Sequence, residues 1–519
     1  MMENMSRRKF VGAAAIAAAA APAMGAMSAL AKEAGASASS ADASAAGDAQ
    51  QLQLVASAPE ETEEQLKAKA KLAHDIATAE PKSVNPDPVT GISQGRLGVT
   101  LDKLNAMRQA AVDAKTEDYV KADGTVVPAV YVKLREVIEG YGLGIGSDVV
   151  DTSFDYFMRY WTEDEAQAYV EMPMGVAFTA ADFAEKTGRD VEECEQLCYD
   201  LSYRGQLMRW TRGGVNYYHQ IAYAHGLWEY GLLAQEREDE NAADFLKLDT
   251  IQQWAELHKT EDLANAHERA DFHALVFTAD QQLYNSETPF YYPIPVGRDV
   301  IAEDEGVIPT DDWESIVDRN TIIGVSTCQC RLRRVLQDDV KDGCDHPMDT
   351  CLSFGEEAQY YIENGLGRQI TQDEARAILQ RSVDEGMVLQ RAYSKAGEII
   401  CSCHGDCCDI LSSYVALGND GMAMMNSTPY LSHYNLVVDH DACIKCGACV
   451  ERCPLFAITM TEDGPQVNLQ CVRCGQCATV CPVGARKLVH REDSAELPDD
   501  MLQDYNLKAA YRLQHEYVH

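Results

Sequence analysis

Cys443-Ile444-Lys445-Cys446-Gly447-Ala448-Cys449-Val450-Glu451-Arg452-Cys453-Pro454 returns 28 residues later as Cys471-Val472-Arg473-Cys474-Gly475-Gln476-Cys477-Ala478-Thr479-Val480-Cys481-Pro482. The two stretches share their cysteine spacing, their glycines Gly447 and Gly475 fall in phase, and each ends in Cys-Pro. Two-residue gaps wrap a chain tightly, so three thiolates converge on one small inorganic core, and the fourth ligand has to arrive from outside the loop. Zinc also favours sites of four cysteines. Zinc ribbons, however, pair two Cys-x-x-Cys knuckles and do not use three in a row followed by Cys-Pro, twice over. The spacing therefore predicts two [4Fe–4S] clusters. A cluster capped by thiolate at every iron accepts or releases one electron and offers no position to a substrate, so this module alone is a relay.

The flanks support that reading. Leu436–Val438, Ala457–Met460 and Gln466–Asn468, the last two joined by Glu462-Asp463-Gly464-Pro465, read as short strands, making each half strand, loop and helix. The module resembles the bacterial two-cluster ferredoxin. The resemblance implies exchange of the fourth ligand between halves: Cys443, Cys446, Cys449 and Cys481 for one cluster, Cys471, Cys474, Cys477 and Cys453 for the other.

Of the 18 cysteines, only Cys194 and Cys198 lie before Cys328. Upstream of the module stand Cys328-x-Cys330-Arg331, Cys344, Cys351 and Cys401-x-Cys403-x-x-x-Cys407-Cys408. Three readings compete. The first is one or two further iron–sulfur clusters, with Cys328, Cys330, Cys344 and Cys351 as one set and Cys401, Cys403, Cys407 and Cys408 as another, or with the sets mixed. The second is disulfides, and the third a redox dithiol at Cys407-Cys408. Metal leads, because adjacent cysteines make strained disulfides whereas short spacings suit multidentate wrapping. Arg331, Arg333 and Arg334 either offset the charge of a cluster or form a solvated helical face. Cys401-Ser402-Cys403-His404 lacks the second intervening residue of a haem-attachment motif. Thr327-Cys328-Gln329-Cys330-Arg331, Cys344, Cys351-Leu352-Ser353-Phe354-Gly355 and the Cys401–Cys408 segment, followed by the double motif, look like a family of anaerobe 4Fe–4S binding proteins with a winged-helix-like front end. The resemblance covers roughly Glu163 to Val489 and implies clusters and electron transfer without naming a substrate.

That front end reads as two helices and a hairpin. Thr179 with Asp182 resembles a helix start, Gly188 a turn, and Asp190 the cap of a second helix carrying Val191, Cys194, Leu197, Cys198 and Leu201 on one face. Leu207–Trp210 and Val215–Tyr218 around Arg212-Gly213-Gly214 read as strands, an order similar to a winged helix. Cys194 and Cys198 have no further ligand near in sequence and read as core. Further on, Thr371 with Glu374 starts a helix whose apolar stripe is Ala375, Ile378, Leu379 and Val383. Asn285–Pro295 reads as extended packing.

The formal net charge of −38 repels phosphate backbones, so nucleic acid is not expected, and it favours a partner with a basic docking surface. At the start, Ser6-Arg7-Arg8-Lys9-Phe10-Val11, an Ala-rich run to Ala21 and Ala29-Leu30-Ala31 resemble a twin-arginine export signal with its cleavage site. The resemblance implies passage through the twin-arginine translocon as a folded protein, with clusters already built, to the periplasm or the extracytoplasmic face of the membrane. This departs from the usual cytoplasmic setting of the family.

The expected fold is α+β and multi-domain, with a winged-helix-like α/β region and a C-terminal two-cluster ferredoxin-like domain. The expected divisions are a signal peptide at 1–31, a linker and charged helix at 32–88, and a mainly helical region at 89–320 containing the winged-helix-like unit at about 163–222. A Cys-rich region at 321–432, the ferredoxin domain at 433–490 and a tail at 491–519 follow. The expected function is electron relay to or from a separate reductase or dehydrogenase. The alternatives are a self-contained oxidoreductase using the upstream cysteines and a redox-sensing winged-helix regulator. No Gly-x-Gly-x-x-Gly follows a strand, and no catalytic residue is assigned.

Overall fold

The computed structural model describes residues 67, 71, 101–142, 151, 153–237, 242–247, 291–303, 305–336, 346–412, 414–415, 432–492 and 497–514. The expected export signal, most of the linker and Cys344 lie outside the described residues.

The first part is helical. Helix α1 (Leu101–Asp113) leads through the hairpin β1 (Tyr119–Val120) and β2 (Val126–Val127) to α2 (Ala129–Glu139), α3 (Ser153–Tyr160) and α4 (Glu163–Glu171). The entry to α4 is a capping box: Glu165 N donates to Thr162 Oγ1 at 3.2 Å, and Thr162 N donates to the Glu165 carboxylate at 2.9 Å. Thr179 and Asp182 repeat the device at α5 (Ala180–Thr187), which ends on Gly188 in the left-handed conformation. Asp190 accepts from Glu192 N and Glu193 N to open α6 (Val191–Tyr203). A hairpin follows, β3 (Met208–Arg212) and β4 (Val215–His219), each reaching one or two residues beyond the sequence reading. Gly213 and Gly214 both have positive φ, the requirement of a two-residue type I′ turn. Cys194 and Cys198 are buried on α6 within the same core as Phe178, Phe183 and Leu201. Helices α7 (Leu227–Arg237) and α8 (Ala242–Lys247) complete this part.

The second part is an antiparallel six-stranded sheet ordered β5-β9-β10-β7-β6-β8. Its strands are β5 (Tyr291–Ile294), β6 (Ile323–Thr327), β7 (Asp349–Phe354), β8 (Arg368–Gln369), β9 (Val388–Ala392) and β10 (Ile399–Cys403). Helices α9 (Trp313–Arg319), α10 (Gln329–Leu336), α11 (Glu356–Glu363) and α12 (Gln372–Asp384) lie between them in sequence. Thr371 caps α12, accepting from Glu374 N at 3.2 Å, and Ala375, Ile378, Leu379 and Val383 are its buried face. The boundary expected at 320/321 needs correction, because β5 belongs to this sheet. Pro293 is tolerated there because β5 is an edge strand, where a missing N–H leaves no gap in a ladder.

The third part pairs β11 (Tyr434–Val438) with β14 (Arg486–His490), and β12 (Ile458–Thr461) with β13 (Gly464–Val467). Helix α13 (Ala448–Glu451) precedes β12, and α14 (Gln476–Thr479) precedes β14. The segment expected as a tail is instead α15 (Met501–Gln514), which clasps the first part. Arg108 Nη1 donates to Asn506 Oδ1 at 2.8 Å, Asn506 Nδ2 to Gly175 O at 2.9 Å, and Tyr505 OH to His225 O at 2.6 Å. No helix among the described residues is long and apolar enough to cross a membrane.

All three parts meet at a buried polar knot around His225, on whose carbonyl Tyr505 closes. His225 Nδ1 lies 3.4 Å from Glu229 and 2.9 Å from Tyr291 OH, and His225 Nε2 lies 3.7 Å from Glu357, which also accepts from Tyr230 OH at 2.5 Å. Burial opposes protonation of His225, but Glu229 and Glu357 outweigh it and raise the imidazole to about 9. A folded-state value above the unfolded one of about 6.5 stabilises the protein fully below that pH, and the contribution disappears as pH rises through about 9. In anaerobic denaturant unfolding, wild type should lose on the order of 3 kcal/mol between pH 6 and pH 9.5 relative to His225→Gln. Parallel pH profiles for the two proteins would show that the imidazolium is not held by these carboxylates.

Candidate iron–sulfur centres

The 28-residue repeat extends into backbone geometry that spacing alone does not reveal. Lys445 and Arg473 have φ of 54° and 60°, Gly447 and Gly475 of 85° and 89°, and Phe456 and Gly484 of 54° and 62°. L side chains rarely adopt this left-handed conformation, so its recurrence at matched positions marks loops bent alike around the same kind of object. The Cys453 sulfur accepts from Ala457 N at 3.3 Å, and Cys481 accepts from Ala485 N at 3.2 Å. Helices α13 and α14 both begin after the left-handed glycine.

Cys453 is turned toward the other half. With Cys471, Cys474 and Cys477 it lines a cavity whose remaining wall includes Leu436, Leu455, Ile458 and Val472. Burial pushes the thiols of Cys453, Cys471 and Cys474 up, and that of Cys477 up to about 12. Bound metal reverses this preference by replacing the proton. In the first loop, burial raises the Cys449 thiol, with Cys446 and Cys443 among its charged neighbours; Cys446 is exposed. Arg486 on β14 is buried among Cys449, Cys453, Cys471 and Cys477, and its Nη1 has no hydrogen-bond partner among the described residues. Four convergent thiols, an apolar wall and an orphaned cationic donor fit an anionic iron–sulfide cube, which would supply one-electron chemistry.

The upstream cysteines converge as well. The seven described ones, Cys328, Cys330, Cys351, Cys401, Cys403, Cys407 and Cys408, are free thiols. Six of them close a ring of side-chain contacts running Cys328, Cys351, Cys401, Cys403, Cys408, Cys330 and back to Cys328. The sheet builds this ring. Cys328 and Cys330 follow β6, Cys351 lies on β7, and Cys401 and Cys403 share one face of β10 by strand alternation. Ile400 pairs with Leu352, so the next step of the register sets Cys401 against Cys351. Cys330, Cys328 and Cys351 of the first expected set form one arc of this ring, and Cys401, Cys403 and Cys408 of the second form the other, so the two sets lie against each other. Of the adjacent pair, Cys408 joins the ring while Cys407 neighbours Arg331. Contacts from Cys328 and Cys401 hold the Cys351 thiol down at about 5, and contacts from Cys401 and Cys408 hold Cys403 well below the ordinary thiol value.

The solvated-face reading of the arginines is also corrected, for all three are buried. Arg331 donates to Pro347 O at 2.6 Å, Thr350 Oγ1 at 2.8 Å and Ser402 O at 2.7 Å. Arg334 donates to Cys407 O and Ser412 Oγ, both at 3.0 Å. Arg333 pairs with Asp409 at 2.7 Å, whose carboxyl burial raises to about 6 against the pull of Arg333. Three buried guanidiniums bring positive charge beside the ring, offset in part by Asp409, and positive charge suits thiolate ligands.

Residues 442–488 match the family model described as a 4Fe-4S dicluster domain, so the chain contains an iron–sulfur, ferredoxin-like domain. No curated protein matches the chain.

The placement of Arg486 has a measurable consequence. A unit charge about 10 Å away at an effective dielectric of about 20 is worth roughly 1.7 kcal/mol, or about 70 mV for one electron. Arg486→Met should lower the midpoint potentials of the module by about that much in an EPR-monitored redox titration, with iron content retained. Unchanged potentials would mean that this guanidinium does not face the clusters.

Proposed function

We propose that the protein is an exported electron carrier whose module holds two [4Fe–4S] clusters and whose cysteine ring holds at least one more. The ligand sets proposed for the module are Cys443, Cys446, Cys449 and Cys481, and Cys471, Cys474, Cys477 and Cys453. The observation that carries the reading is a single apolar body bearing thiols of both sites. Cys403 and Cys408 of the ring and Cys474 of the module belong to it together with Val388, Leu411, Leu455 and Val472, while Cys330, Cys401, Cys453 and Cys471 pack against it. Electron tunnelling falls steeply with distance, so centres that share one wall make a wire.

The wire has an inner and an outer end. The ring is largely buried, whereas Cys446 reaches the surface. Ile444, Phe456, Met460 and Val483 are exposed apolar side chains of the same module, the composition expected where a redox partner seats. The net charge of −38 favours a reductase or dehydrogenase with a basic docking surface.

Export by the twin-arginine route to the extracytoplasmic side is proposed from the sequence at Ser6–Val11. The two capped helices and hairpin of the first part are proposed as a winged helix used in packing or docking. Its hairpin arginines are already engaged, Arg209 with Glu363 at 3.5 Å and Arg212 with Glu356 at 2.5 Å, which argues against a DNA-reading wing.

Iron and sulfide analysis of anaerobically prepared protein tests the reading. About twelve irons or more are expected with the ring loaded, against about eight for the module alone. Cys403→Ser should lose about four irons while the EPR signals of the module persist, and Cys453→Ser should lose about four from the module instead. Colourless or zinc-loaded wild type would sink the relay, and an unchanged iron count in Cys403→Ser would remove the ring from it.

A further inference from the structure

Beside the ring lies a second set of ligand-bearing side chains that contains no sulfur. His404 sits one residue beyond Cys403, and its Nδ1 lies 2.7 Å from Asp406 Oδ1. His346, from a separate segment, brings its ring to 4.8 Å from that of His404. One donor atom from each of the three residues falls within 4.8 Å of the others. Their side chains are 17%, 18% and 33% exposed for His346, His404 and Asp406, so the group opens to solvent, unlike the ring beneath it.

We propose that His346, His404 and Asp406 form a mononuclear site for a divalent first-row transition-metal ion, distinct from the thiolate centres. Two imidazoles and one carboxylate are the donor set that such ions accept while keeping open positions. An ion held by three protein ligands at a solvent-facing site retains places for water or a small oxygen- or nitrogen-donor ligand, which a cluster capped by thiolate at every iron does not.

The surroundings hold the three residues in place. Glu385 lies 3.6 Å from His346 Nδ1, where a carboxylate fixes the orientation of a ligating imidazole. Phe456 of the module meets His404 edge-on, with centroids 6.0 Å apart. Gly405 N donates to Pro454 O at 3.0 Å, and a Cβ at Gly405 would stand 2.4 Å from that oxygen, so only glycine permits the approach. Arg331, the cation nearby, is committed to Pro347 O, Thr350 Oγ1 and Ser402 O. The site thus bridges the seam between the cysteine ring and the ferredoxin module, next to the proposed wire but independent of it.

The test uses the full chain with its clusters in the oxidised, diamagnetic state, cleared of loose metal by chelation. Titration with manganous chloride is followed by the six-line EPR signal of the free ion; manganese is chosen because it prefers oxygen and nitrogen donors to thiolates. Wild type should remove one equivalent from the free signal in a saturable step, with enhanced water-proton relaxation from the retained waters. His346→Ala and, separately, Asp406→Asn should weaken that step at least tenfold with iron and sulfide contents unchanged. Absence of a saturable equivalent in wild type overturns the site, as does wild-type affinity in either variant. Loss of iron together with manganese also overturns it, because the residues would then belong to the thiolate centre. The iron and sulfide counts keep this outcome separate from any failure of the relay itself.

Discussion

Six thiols pressed against one another inside a protein are a poor way to fill space. Each buried sulfur either keeps a proton that its neighbour also wants or carries a charge that burial penalises. Three buried guanidiniums that share Asp409 do not close a hydrophobic core either, since buried cations in excess of their anions cost several kcal/mol. Together the two sets make sense around an anionic metal centre, where metal replaces the protons and the arginines balance the charge. Binding at such a site is also folding free energy, because the ligands come from β7, β10, the turn after β10 and the start of α10, and are dispersed in an unfolded chain.

The same constraint organises charge across the molecule. The chain is strongly acidic overall, yet Arg331, Arg333, Arg334 and Arg486 are withdrawn from the surface and placed beside sulfur. An acidic surface of this kind would favour a basic partner, and positive charge beside a cluster would make its reduced state easier to form. Lysine would serve less well at these positions. Arg331 donates at once to Pro347 O, Thr350 Oγ1, Ser402 O and Met387 Sδ, a use of the planar guanidinium that a single ammonium does not reproduce.

The legible and illegible parts of this arrangement divide by range. The module could be read because all its ligands lie within 39 residues and repeat with a fixed period, so local spacing carries the geometry. The strain shared by Lys445 and Arg473 and by Phe456 and Gly484 was hidden, since nothing in the residue types other than glycine announces a left-handed backbone. Membership of the ring was hidden for a different reason. It follows from the pairing of β7 with β10 and of β6 with β7, and strand register is a property of the whole sheet. Arg331 reads in sequence either as a counter-charge to a cluster or as part of a solvated helical face, and Tyr291 as extended packing. Only the sheet edge shows that Tyr291 joins the polar knot at His225 on one side and packs against Cys401 on the other.

That double contact explains why the first part of the chain is more than an appendage. Leu332 of α10, Tyr360 and Tyr361 of α11 and Tyr505 of α15 share one core with the aromatic cluster of Tyr156, Phe157, Trp161 and Phe245. Elements far apart in sequence thus close over the helix that carries the arginines and over the sheet end that carries the thiols. A chain packed this way gives the ring little access to water once it has closed, so metal has to enter before or during closure. Clusters are assembled in the cytoplasm, and a translocon that carries folded proteins would let this molecule travel with its metal already enclosed. The export route proposed from the first residues and the centre proposed for the buried ring therefore fit one requirement: a centre enclosed in this way would have to be finished before the protein left.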